Sequence, residues 1–401
     1  MRLMRGRRLA ALAFLLVVIA SAVLVARPYV HGASFVVRAA DMQGTLRRMA
    51  DVDTVTERER EISIPTRRGA MRARLYEPAG PHRRAAVLTS GLHVSGIDEP
   101  RLMRLARQLA ASHVAVVTPD IPELSRFDVA PAITDAIEDA GVWLAGYPTL
   151  APDRRVGLMG ISFSGGLSIV AAGRPSLSSR VAYVFSLGGH DDLPRVLRYL
   201  CTGRERRPTP EVRFAADRGE NDTFVLPPHD YGVAVILLAI ADRVVPAAQV
   251  DRLREGVRQF LWASAFDGGV DKGRAPAEFE KVRRMASALP EPSATLLRYV
   301  NDRDVVHLGA RLLPVLGSHG ADPALSVSRS PKTSAPVFLL HGLGDNVVPP
   351  VESEYLAADL RGHAPVRLLL SGLISHAEAD QPAHASDMVA LASLWGDLLS
   401  R

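Results

Sequence analysis

The chain is 401 residues long, with 47% hydrophobic, 23% charged and 5% aromatic residues. That is ample for a large buried core and far from disordered, collagen-like or disulfide-stapled compositions. The formal charge of +5, from 48 basic and 43 acidic residues, is not gathered into the stripe or patch that a nucleic-acid footprint requires, so no nucleic-acid partner is expected; the single Cys201 excludes an internal disulfide and a cysteine-based metal cluster.

Arg2, Arg5, Arg7 and Arg8 precede Leu9–Ala26, a run without a charged side chain that is long enough to span a bilayer as a helix. Basic residues ahead of the run predict a signal anchor over residues 1–30, with a membrane as partner and everything after it on the extracytoplasmic side. The alternative is export, with a signal peptide cleaved near Ala20-Ser21-Ala22. Residues 31–61 read as an amphipathic linker helix ending in the charged run Thr56–Glu61, a solvated approach to the folded core.

From Ile62 onward short apolar runs alternate with helical patterns, which predicts an α/β fold with a mostly parallel sheet covered by helices on both faces. Ile62–Tyr76 reads as an antiparallel hairpin at a sheet edge. Strands are expected at Ala85–Thr89, Val114–Thr118, Val156–Gly160, Ala182–Leu187, Val337–Leu340 and Val366–Leu370, and helices at Pro100–Ser112, Pro131–Ala145, Ser164–Ala172, Val351–Leu360 and Ala383–Leu399. Between the fourth and fifth of these strands lies a stretch far longer than an ordinary connection. Apolar runs at Val233–Ile240 and Val257–Trp262 give it helical character. The predicted organisation is a core of residues 62–188 and 335–401 with a mainly helical cap, 189–334, inserted into it.

The segment Gly160-Ile161-Ser162-Phe163-Ser164-Gly165-Gly166 follows a buried strand and opens a helix. A serine on so sharp a turn takes a strained backbone and needs very small neighbours two residues away on either side. The turn lifts its hydroxyl clear of the sheet, and the helix N-terminus behind it favours developing negative charge. The segment resembles the G-x-S-x-G nucleophile elbow of the α/β-hydrolase superfamily, with Ser164 in place of the last glycine.

That resemblance implies an α/β-hydrolase fold and a triad in the chain order Ser, Asp, His. Asp345, in His341-Gly342-Leu343-Gly344-Asp345-Asn346, stands where the superfamily's carboxylate follows a late strand, and His376, in Ser371-Gly372-Leu373-Ile374-Ser375-His376, follows the last strand. Asp191 and Asp192 are alternative acids; His384 and His190 are alternative histidines. Backbone donors for an oxyanion are expected at the amides of Phe163 and Leu92, the latter in Thr89-Ser90-Gly91-Leu92-His93. His93 reads as a loop histidine with local hydrogen bonds. No cofactor and no metal are expected: there is no H-E-x-x-H, the pair His229-Asp230 lacks a third ligand, and the loop 90–96 lacks G-x-G-x-x-G. The implied activity is serine hydrolysis of a carboxylic ester or related acyl bond, on a small-molecule or lipid-like substrate. A peptidase or acyltransferase using the same triad, and a non-catalytic binding relative, are the alternatives.

Overall fold

The computed structural model describes residues 26–80, 82, 84–208, 222–374 and 385–401. In chain order these carry helix α1 (26–39), α2 (Thr45–Ala50), β1 (Glu57–Thr66), β2 (Gly69–Pro78), β3 (Arg84–Thr89), α3 (Pro100–Ala111), β4 (Val114–Pro119), α4 (Pro122–Ser125), α5 (Ala132–Ala145), β5 (Val156–Ile161), α6 (Phe163–Ala172) and β6 (Val181–Leu187). There follow α7 (Leu193–Thr202), β7 (Arg204–Arg206), β8 (Thr223–Val225), α8 (Asp230–Ile240), α9 (Ala247–Ala265), α10 (Ala275–Ser287), α11 (Ser293–Asn301) and α12 (Val305–Leu312). The chain then returns through β9 (Val337–Gly342), α13 (Val351–Asp359), β10 (Val366–Ser371) and α14 (Ala385–Leu399).

Eight strands form one sheet in the order β1-β2-β4-β3-β5-β6-β9-β10. β1, β2 and β4 run antiparallel to their neighbours in turn, and every pair from β4–β3 to β9–β10 is parallel. The parallel strands are apolar on both faces because helices cover both. Ala85, Val87, Val117, Leu158, Val184 and Leu339 face a core completed by α5, α6 and α13. The alternate residues Ala86, Leu88, Val116, Met159, Phe185 and Phe338 face a second core with α1, α3 and α14, the period-two pattern of a pleated strand. α3 and α6 therefore lie on opposite faces although they follow the adjacent strands β3 and β5. The order reverses between those two strands, the place where open α/β sheets bind ligands, beyond the strands' carboxyl ends. Ser162 stands at that end, directly after β5. The chain has the α/β-hydrolase fold.

β1 begins at Glu57, so the charged run expected to be a solvated linker is a strand. Glu and Arg are poor strand formers, but the ladder with β2 and the pairs Glu61–Arg72, Arg60–Glu77 and Glu59–Arg107 hold it. Charge along an exposed edge also discourages pairing with other chains. Between β6 and β9 the chain runs through α7 to α12 and the small β7–β8 hairpin, whose apolar residues join the same core as those of α5 and α6.

Membrane attachment through residues 9–26, and with it the extracytoplasmic placement, is corrected. Among the described residues no helix is long and apolar enough to cross a membrane, and residues 1–25 lie outside them. α1 docks on the protein itself. A Cβ on Gly32 would stand 1.9 Å from the Ala392 carbonyl oxygen of α14, and one on Gly396 would stand 2.2 Å from that of Pro28. Phe35 is fully buried with its ring centroid 4.2 Å from that of Trp395.

Candidate active site

Ser162 has φ 54° and ψ −131°, a conformation a non-glycine residue holds only when its surroundings over-determine it. Its amide donates to the Leu187 carbonyl of β6 at 2.6 Å, and its own carbonyl accepts from Gly165 N at 2.8 Å. A Cβ on Gly160 would lie 2.1 Å from the Ser164 carbonyl oxygen, so only glycine fits there. The departure from the glycine pattern at Ser164 has its own use: the buried hydroxyl donates to the Ser90 carbonyl at 2.6 Å, tying the elbow to the loop after β3.

That loop passes beside Ser162, since a Cβ on Gly91 would come within 3.2 Å of Ser162 Cβ. Leu92 follows. Its carbonyl accepts a 2.5 Å hydrogen bond from the Tyr231 hydroxyl, a contact from the inserted helices that nothing in the sequence signalled. Phe163 is the first residue of α6, where helix amides have no intrahelical acceptor. Its ring is stacked on His190, centroids 5.0 Å apart. His93 Nδ1 accepts from Ser95 N at 3.2 Å, and burial pulls its pKa below the ordinary value.

Asp345 lies in the loop after β9, 2% exposed. Its Oδ1 accepts from the amides of Val347 at 2.9 Å and Val348 at 3.0 Å. His341 Nε2 lies 3.4 Å from its Oδ2 and 2.9 Å from the Val348 carbonyl. Facing two acceptors, that nitrogen carries the proton, and Nδ1 accepts from Ser353 Oγ at 2.6 Å. His341 is thus a buried brace for the acid loop that residue type alone did not single out. Gly188 lies between this carboxylate and the elbow. A Cβ on Gly188, which has φ +65°, would sit 3.2 Å from Asp345 Oδ2 and 4.0 Å from Ser162 Cα.

His376 and His384 lie outside the described residues. The chain that leads to them is placed: the Ser371 carbonyl at the end of β10 accepts from Leu343 N at 3.0 Å, two residues before Asp345. The alternative residues have other partners. His190 Nε2 is 2.8 Å from the Leu325 carbonyl, and burial holds the ring neutral by lowering its pKa. Asp191 Oδ2 accepts from Arg195 at 3.1 Å; Asp192 caps α7 at Arg195 N and pairs with Arg329.

Arg195 is the centre of a buried cluster. It donates through Nε to Glu352 at 2.6 Å and to Glu205 at 3.2 Å, and Glu352 Oε2 also accepts the amides of Asp191 and Asp192. Burial, and then the nearby Glu352 charge, push Asp191 up to about 8 and Glu205 up to about 11. Glu352 is the ionised member: burial opposes its charge, but Arg195 holds it below the ordinary carboxylate range. Among the described residues no group of three His, Cys, Asp or Glu side chains is arranged to hold a metal ion. Surface cavities of about 360 and 110 Å³ are lined by Arg60, Glu61, Trp143 and Tyr147, and by Pro194, Leu197, Leu313 and His319. Both lie away from Ser162 and Asp345.

No protein-family model and no curated protein matches this chain. Among solved structures it is similar to a hyperthermophilic esterase from the archaeon Pyrobaculum calidifontis, at 16% identity and a TM-score of 0.45 over 94% of this chain and 93% of that one. It is similar to brefeldin A esterase, described as a bacterial homologue of human hormone-sensitive lipase, at 13% identity and 0.44 over 93% and 82%. It is also similar to a Pyrococcus horikoshii acylaminoacyl peptidase, at 12% identity and 0.42 over 80% of this chain and 38% of that one. The fold itself stands on strand order and register.

Proposed function

We propose that the protein is a serine hydrolase that cleaves a carboxylic ester or related acyl bond through an acyl-enzyme. The observation that carries this reading is Ser162 itself, held at φ 54° between β5 and α6 at the reversal of strand order, with Gly188 between it and the Asp345 carboxylate. Ser162 Oγ attacks the acyl carbon while His376 takes its proton, and Asp345 orients the imidazole and stabilises its charged form. The amides of Phe163 and Leu92 donate to the oxyanion. As the intermediate collapses, the bond to the leaving alcohol breaks and His376 returns the proton to it. Water then repeats the sequence on the acyl-serine and restores Ser162. The helical insertion, residues 189–334, covers the loops after β3 and β9 and decides which acyl group enters. The test is covalent labelling of the full chain by a fluorophosphonate, followed by an ester panel of increasing acyl length. Labelling at Ser162, absent in Ser162→Ala, is the expected result; an unlabelled wild-type chain overturns the reading.

A further inference from the structure

The first turn of α8 touches both loops that flank Ser162. His229 N donates to the Asn346 carbonyl at 2.9 Å, next to Asp345. Two residues on, the Tyr231 hydroxyl donates to the Leu92 carbonyl at 2.5 Å. The turn is rigidly held. Tyr231 N is bonded to Asp230 Oδ1 at 2.9 Å, Asp230 pairs with Arg303 at 3.3 Å, and the Tyr231 ring meets Phe127 edge-on at 5.6 Å. Gly232 packs directly on Leu200, leaving no room for a Cβ.

Resting on the hydrolase reading above, we propose that Tyr231 is a positioning residue for acyl transfer, its hydroxyl holding the Leu92 peptide so that the loop after β3 keeps its oxyanion donor in place. The reasoning is geometric. Ser164 anchors this loop at Ser90 from the elbow side. One residue beyond the close approach at Gly91, Tyr231 anchors it from the side of the inserted helices. A backbone donor acts on a developing oxyanion only if it is already aimed at the place where the charge forms. Displacement by about 1 Å, from a change that never touches substrate, costs up to about 100-fold. The phenol suits this task, since burial pushes its pKa well above the ordinary value and keeps it a donor at every working pH.

The experiment compares wild type and Tyr231→Phe by the rate of phosphonylation with a fluorophosphonate probe, resolved into the maximal rate and the half-saturating concentration. In this reaction Ser162 Oγ forms a bond to phosphorus, the P–F bond breaks, fluoride leaves and the hydroxyl proton passes to the base; the phosphoryl oxygen occupies the oxyanion position. The expected result is a maximal rate about 10- to 100-fold lower with the half-saturating concentration within about twofold. A change in half-saturation alone assigns Tyr231 to binding and overturns the positioning role. An unchanged maximal rate overturns it too, with the hydrolase reading intact. An unlabelled wild type removes both together. Thermal unfolding of the variant, which has lost only an oxygen atom, separates a general loosening from the local effect: a Tm fall that accounts for the rate loss at the assay temperature also counts against the proposal.

Discussion

At the scale of single residues, the elbow leaves little freedom. Gly160→Ala would place a Cβ 2.1 Å from the backbone oxygen of Ser164, so this substitution is expected to abolish labelling by displacing Ser162. Ser162→Ala should remove labelling while leaving the fold intact, as circular dichroism would show. His376→Ala should cost about as much turnover as the loss of the nucleophile, and Asp345→Asn should leave more residual rate, because the members of a triad act as a unit. Turnover should fall as the pH drops through the ordinary imidazole range, around 6.5, because the base must be neutral to take the Ser162 proton. Of the three acid candidates, Asp345 and Asp191 separate cleanly. Asp191 is committed to Arg195, so Asp191→Asn should keep near-normal turnover. A crippled Asp191→Asn beside an active Asp345→Asn would move the acid to the strand end after β6. Turn chemistry and chain order were enough to single out Ser162, Phe163, Leu92 and Asp345 as candidates from the sequence. His341 and Tyr231 could not be singled out, because a histidine or tyrosine acquires a bracing role only from neighbours distant in sequence.

Among the elements, the Arg195 cluster joins α7, the β7 strand and α13. One guanidinium faces three buried carboxyl groups, which cannot all ionise. Glu352→Gln removes the ionised partner and should destabilise by roughly 3–5 kcal/mol, the cost of breaking a buried pair. Glu205→Gln replaces a carboxyl that is already protonated and should leave stability at neutral pH close to wild type. Urea titrations measure both. The linkage has a definite sign. Asp191 has a folded-state pKa raised to about 8, against about 3.9 in an unfolded chain. The folded state therefore binds the extra proton between those values, and the stability it confers is lost as pH rises towards about 8. Asp191→Asn should flatten stability across pH 6 to 9 relative to wild type; an equal slope in both proteins would show that Asp191 is ionised throughout. These elements were only partly readable in advance. The helices at Val233–Ile240 and Val257–Trp262 announced themselves by apolar runs. The hairpin of β1 and β2 was legible from Ile62 onward, but the first half of β1, Glu57–Glu61, was not, because its charged sequence resembles a linker and becomes a strand only through the ladder and ion pairs that β2 and α3 provide.

At the scale of the molecule, α1 belongs to the folded core. Arg38, 3% exposed, donates to the Ala50 carbonyl and Ser112 Oγ at 2.7 Å and to Gln108 at 3.1 Å, binding α1 to α3. Phe35 lies among α3, α14 and the sheet. Phe35→Ala should lower stability by about 3–5 kcal/mol, the usual cost of emptying an aromatic site, and a chain truncated near residue 50 should be less stable still and aggregate on heating. Thermal unfolding checks both. A truncated chain with an unchanged Tm would mean that α1 is a dispensable attachment.

What the sequence determined by itself was whatever depends on local periodicity and turn chemistry. The six parallel strands stood out as short apolar runs, the covering helices by their spacing, and the sharp turn at Ser162 by the small residues around it. These signals survive in one dimension because each is satisfied within about ten residues of chain. The tertiary structure alone decided the rest. It set Gly188 between Asp345 and Ser162, put Arg195 and Arg329 against Asp191 and Asp192, and seated Tyr231 on Leu92 from a helix 139 positions away. It also turned residues 26–39 inward onto α14. Those outcomes depend on which surfaces meet when the sheet is assembled, and an amino acid's type carries no record of its distant neighbours.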